Sequence, residues 1–157
     1  MEPWERRLRA YLADQDDLAA AYLFGSRARR DARPDSDLDV ATVFADPRAP
    51  DPLRRAVRRG LMIDELEGLL HMPVDVVDFD GVDPRMALAI LRDGRVILDR
   101  VPDRRHVAAL RQLGLYDDRR TWYADERRRT MAFFGVDAGA GSESPARGAR
   151  RGVTGGA

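Results

Sequence analysis

Hydrophobic and polar positions follow two periods along this chain, and the switches between them mark the elements. Trp4, Leu8, Tyr11 and Leu12 recur at helical spacing between Pro3 and Ala13, with Pro3 in a first-turn position where its missing N–H is no loss. "LAAAYLF" (Leu18 to Phe24) is a short apolar run closed by Gly25, and "SDLDVATVF" (Ser36 to Phe44) is a second run entered through the turn-rich "RPDS". They read as two strands joined by a short helical turn. Asp51 followed by Pro52 is an N-cap with proline at the first helical position, and Leu53, Val57, Leu61, Leu66 and Leu70 then read as one apolar stripe ending before Pro73. "VDVVDF" (Val74 to Phe79) predicts a third strand. Asp83 and Pro84 repeat the cap signal ahead of "RMALAILRDG", and beyond the Asp93-Gly94 turn "RVILD" predicts a fourth, shorter strand. Arg104 to Arg129 reads as helix broken near Gly114, with Leu110, Leu113, Leu115, Trp122 and Tyr123 as its apolar contribution. From Asp137 the text becomes "DAGAGSESPARGARRGVTGGA", which has no large apolar side chain to offset its ordering entropy and reads as a disordered tail.

Composition narrows this picture. A chain of 157 residues, 44% hydrophobic, can build one core and is too short for two ordinary domains. The expected organisation is a single domain over 1–136, with a core at 18–99, a helical C-terminal part at 103–134 and the tail at 137–157. Basic and acidic residues balance at 27 each, so overall charge does not argue for a nucleic-acid coat or an acidic membrane. Every basic residue is Arg. Without cysteine there is neither a disulfide framework nor a thiolate metal site. The charged N-terminus lacks a signal-peptide core and no run of about 18 apolar residues occurs, so a soluble cytoplasmic protein is expected. The arginine runs "ERRRT" and "ARGARR" lack interleaved aromatics and read as solvated, and direct nucleic-acid binding is not indicated.

One pattern does not suit a plain core strand. On a strand, alternate side chains share a face, so Asp37 and Asp39 point one way while Leu38 and Val40 point into the core. Adjacent carboxylates repel, and a divalent cation removes the conflict; Mg²⁺ in particular takes carboxylate and phosphate oxygens. Taken alone, such a pair also describes the wet face of a half-buried strand. Gly25-Ser26 precedes it, closing one strand and opening a turn where backbone N–H groups, the Ser26 hydroxyl and the guanidiniums of Arg27 and Arg29 can face an anion. "VDVVDF" adds Asp75 on a further strand, sharing a face with Val77 and Phe79, while Asp78 faces the other way. A phosphate cradle, paired carboxylates and a third carboxylate are what two-metal phosphoryl or nucleotidyl transfer requires. His71 and His106 are isolated and read as surface or capping residues; Asp46, Asp64 and Glu65 read as solvated.

Gly25-Ser26, ten intervening residues, then Asp37-Leu38-Asp39 resembles the signature of the polymerase-beta-type nucleotidyltransferases, and specifically the minimal (MNT) subfamily. The similarity runs from about Leu18 to Asp99 and includes the "VDVVD" strand. It implies an α+β fold, a small mixed β-sheet with flanking helices. By the same resemblance Asp37 and Asp39 would hold two Mg²⁺ ions, Asp75 would complete the acceptor-side metal and help take the proton, and Gly25-Ser26 would hold ATP as nucleotide donor. Many relatives have a glycine where Arg30 stands, which alters the loop rather than the chemistry. The small size resembles MNT antitoxins, which transfer AMP to a tyrosine of a HEPN ribonuclease toxin. The competing expectations are an aminoglycoside-type small-molecule nucleotidyltransferase and an antitoxin that neutralises by binding alone.

Overall fold

The computed structural model of the protein describes residues 1–29, 36–47 and 51–133. Along them run α1 (Pro3–Ala13), β1 (Leu18–Phe24), α2 (Gly25–Arg29), β2 (Leu38–Phe44), α3 (Pro52–Leu70), β3 (Val74–Asp78), α4 (Pro84–Asp93), β4 (Arg95–Asp99) and α5 (Pro102–Phe133). The helix caps behave as their residue types dictate: the Asp51 carboxylate accepts the Leu53 and Arg54 amides at 2.9 and 3.1 Å, and Asp83 accepts the Arg85 amide at 2.9 Å. His71 closes α3 in the left-handed region, φ 55°, a capping histidine as its isolation suggested. The position of Arg30 and the stretch from Asp137 lie outside the described residues.

The four strands form one sheet in the order β3-β2-β1-β4. β1 is antiparallel to both β2 and β4, whereas β2 and β3 are parallel, so the sheet is mixed and α3 makes the crossover that a parallel pair needs. Both faces are covered. Leu8 and Leu12 of α1 and Met62, Leu66 and Leu70 of α3 pack with Leu23, Val40, Val74 and Val76; on the opposite face Ala87 and Ile90 of α4 and Ala108 of α5 pack with Tyr22, Ala41, Val43 and Phe79. This double cover explains why β1 and β2 read as continuous apolar runs rather than alternating ones. The register shift at Leu18/Ala20 turns Ala19 and Ala20 to the same face.

Two expectations from the pattern are corrected. The stripe on α3 is not one face: Met62, Leu66 and Leu70 are buried, while Leu53, Val57 and Leu61 are 74%, 57% and 52% exposed and line an apolar cleft of about 660 Å³ with Phe44. Leu61 and Met62 are about 100° apart on the helix, so the two i, i+4 series diverge, and only the second meets the sheet. α5 is continuous through Gly114, where a Cβ would meet nothing within 4 Å. A glycine costs a helix about 1 kcal/mol relative to alanine without breaking it when its neighbours are good helix formers. The face of α5 that is buried carries Ala108 and Gln112 rather than Leu110 and Leu113, and Gln112 Nε2 donates to the Phe79 carbonyl at 2.7 Å.

The chain divides into two compact units, Met1–Arg119 and Arg120–Ala157. In the second, the rings of Trp122 and Tyr123 meet edge-on, their centroids 5.3 Å apart. No helix among the described residues is long and apolar enough to cross a membrane.

Candidate functional site

β1, α2 and the starts of β2 and β3 bring the signature residues together. Asp39 stands in register between Phe24 on β1 and Asp75 on β3. Two contacts fix that register at its end: the Leu38 amide donates to the Pro73 carbonyl at 2.9 Å, and the Arg27 guanidinium donates to the Ser36 carbonyl through Nε (3.0 Å) and a terminal nitrogen (2.6 Å). Arg27 also lies over the Trp4 ring, 5.7 Å from its centroid, so its side chain is committed to holding the start of β2 against α2 and α1.

Gly25 is demanded twice. Its φ of +69° is one that side chains rarely tolerate, and a Cβ built on it would lie 2.0 Å from Asp39 Oδ2. The backbone at the strand-to-helix turn is thus pressed directly against a carboxylate, with Ser26 partly exposed beside it.

The carboxylates interact. Burial raises the pKa of Asp39 above its ordinary value, Asp75 and Asp37 raise it further, and Arg29 and Arg27 pull it down. Asp39 shares its face with Ala41 and Val43, which are fully covered, so its side chain sits at the rim of a dry layer while Asp37 and Asp75 are exposed. Arg29 also acts on Asp93 at the end of α4, a residue whose pattern marked it only as half of a turn. Asp78 is separated from this group: it pairs with Arg55 of α3 at 2.9 Å. His106 is exposed beside Arg105, remote in role from the acids.

Among the described residues no three His, Cys, Asp or Glu side chains close into a metal-holding group. The donor set nevertheless suits Mg²⁺. It is all oxygen, it spans two adjacent strands in register, and the mutual repulsion felt by Asp39 is the charge conflict that a divalent cation relieves. The apolar cleft beside Leu53 and Leu61 includes none of these three acids in its lining.

Residues 6–103 match the family model described as Polymerase beta, Nucleotidyltransferase. No curated protein matches the chain. Several solved structures share the fold. One is a toxin–antitoxin crystal structure with AMP-PNP (TM-score 0.62, 21% identity, covering 83% of this chain and 97% of that one). A second is the toxin–antitoxin MntA-HepT (TM-score 0.57, 20% identity, covering 84% and 96%). A third is a tri-AMPylated Shewanella oneidensis HEPN toxin in complex with MNT antitoxin (TM-score 0.57, 20% identity, covering 84% and 95%).

Proposed function

The chain belongs to the polymerase beta nucleotidyltransferase family, and from that premise we propose that it is an antitoxin acting in the cytoplasm by transferring AMP from ATP to a tyrosine of a HEPN-type toxin. The observation that carries the reading is Asp39, held in register beside Asp75 and pressed against the backbone of Gly25. A strand that needed only a wet face would not seat a carboxylate partly buried, between two other acids, against a glycine in the left-handed region. The solved complexes that share the fold include an AMP-PNP-bound pair and an AMPylated toxin, which supports ATP as donor and a toxin as acceptor.

Each residue then has a task. The Gly25-Ser26 turn lets the triphosphate approach the backbone, and the Ser26 hydroxyl donates to it. Arg29 offsets negative charge beside Asp39, whereas Arg27 keeps β2 in place. Asp37, Asp39 and Asp75 are the oxygens that would hold Mg²⁺, which when bound neutralises the triphosphate and lowers the pKa of the acceptor hydroxyl. Asp75, exposed on the edge strand, receives the proton of the attacking phenol as its oxygen bonds to the α-phosphorus and pyrophosphate leaves.

Mixing the protein with a HEPN-type toxin, ATP and Mg²⁺ is expected to add AMP mass to a toxin tyrosine, and Asp37→Asn with Asp39→Asn to abolish both that mass and protection. A double variant that adds no nucleotide yet neutralises the toxin fully would replace this reading with protection by binding alone.

A further inference from the structure

We propose that the cleft at the carboxyl-terminal end of the β2–β3 pair is a second, separate anion site, taking a small phosphate-bearing molecule on Arg59 and Arg111. α3 presents two arginines there and α5 one, with a second arginine of α5, Arg104, holding an acid of the cleft wall. On α3, Arg55 and Arg59 are four residues apart and share a face; on α5, Arg104 and Arg111 are seven apart and do the same. The inner arginine of each helix is already neutralised. Arg55 meets Asp78 at 2.9 Å with the two side chains 12% and 11% exposed, and Arg104 meets Asp80 with 9% and 6% exposed. The third carboxylate on the cleft wall, Asp51, is engaged in capping α3.

The outer arginines differ. Arg59 and Arg111 line the same cleft, of about 390 Å³, and no carboxylate among the described residues pairs with either. Of the three arginines lining the cleft, Arg55 and Arg59 each bury an Nε that has no hydrogen-bond acceptor, as does Arg104. Arg55 and Arg104, however, already hold a carboxylate through a terminal nitrogen, and Arg59 does not. Buried N–H donors are rarely left unsatisfied, because each forfeits its hydration without replacement. Three guanidiniums and three carboxylates line the cleft, but Asp78 is paired with Arg55, Asp80 with Arg104 from outside the lining, and Asp51 caps α3. The acids are thus in use, and Arg59 and Arg111 are left without a carboxylate among the described residues. A guanidinium fork matches two oxygens of one phosphate, and a phosphate has enough oxygens to accept from both helices at once. The cleft also falls in the roughly 300–1,000 Å³ range of small-molecule sites.

This place is distinct from the catalytic acids. Asp75 and Asp78 lie about 10 Å apart along β3 and face opposite sides of the sheet, so an anion bridging Arg59 and Arg111 does not touch Asp37, Asp39 or Asp75. The inference does not depend on the acceptor proposed above.

The test is titration of the full chain with inorganic pyrophosphate and, separately, AMP, by calorimetry and by melting temperature, with Mg²⁺ absent and ionic strength matched with chloride. Saturable one-to-one binding is expected, with a rise in Tm of several degrees. Arg59→Gln combined with Arg111→Gln should weaken it at least tenfold, while Asp37→Asn with Asp39→Asn should leave it unchanged. Binding of pyrophosphate alone identifies a free anion, and binding of AMP as well identifies a nucleotide phosphate. If neither binds, if the arginine double variant binds as the parent does, or if binding is lost in the aspartate double variant, the proposal fails. Should the arginine double variant not fold, Arg111→Gln alone, on an exposed side chain, must still weaken binding severalfold.

Discussion

Asp75 and Asp78 sit three residues apart on one short strand and have opposite surroundings. Asp78 is buried and its charge is met at 2.9 Å by Arg55, which also donates to the Pro47 carbonyl and lies over the Phe44 ring. Asp75 is exposed and in register with Asp39, on which burial, Asp75 and Asp37 act in one direction and the arginines of α2, Arg29 and Arg27, in the other. One acid is satisfied by the fold; the other adds to a conflict that the fold leaves standing. The difference separates an acid that holds structure from one available for chemistry, because a satisfied buried charge has no remaining affinity for a ligand and a frustrated exposed one does.

The contrast can be broken most forcefully at Arg55. Arg55→Gln leaves Asp78 as a buried carboxylate without its cation, and urea unfolding should show a loss of about 3–5 kcal/mol. Gly25→Ala attacks the other end: forcing a Cβ into the left-handed region and against Asp39 Oδ2 should cost about 1–2 kcal/mol in the same assay and also abolish nucleotide transfer. Asp39→Asn should go the opposite way in stability. With its folded pKa raised above the ordinary 3.8, Asp39 binds its proton more tightly in the folded state than in the unfolded one, so stability falls as pH rises from the ordinary value through the folded one, and the cost of the ionised form persists above it. The variant should therefore melt higher than the parent at neutral pH, by less than about 1 kcal/mol for a half-exposed group, and the advantage should vanish below about pH 3, under the ordinary Asp value. The smallest change in stability belongs to Asp75→Asn, within about 0.5 kcal/mol of zero, while AMP transfer falls by on the order of a hundredfold or more. An Asp75 variant that unfolds like the Arg55 one would erase the distinction.

Much of the fold was legible because the signals were local. Proline after a capping aspartate started α3 and α4 where expected, and the apolar runs located all four strands. The Gly-Ser and Asp-x-Asp spacing was legible too, since a tight turn and strand alternation are set by neighbours in sequence. What the sequence could not determine was anything set by which face meets the sheet. Leu53, Val57 and Leu61 looked equivalent to Leu66 and Leu70 because periodicity records the angle between residues and not the direction of the core. Gln112 gave no sign of being buried; its burial follows from the Phe79 carbonyl at the end of β3, a partner 33 residues away. Glu5 likewise is buried because Arg9 and Arg95 meet it, one from its own helix and one from β4. The sequence by itself determined the elements, their caps and the spacing of the carboxylates. Only the tertiary structure decided that Asp39 would face Asp75 while Asp78 found Arg55, because strand pairing and helix docking bring together charges that lie dozens of residues apart, and pairing at short range in a poorly solvated place is what sets the role of each.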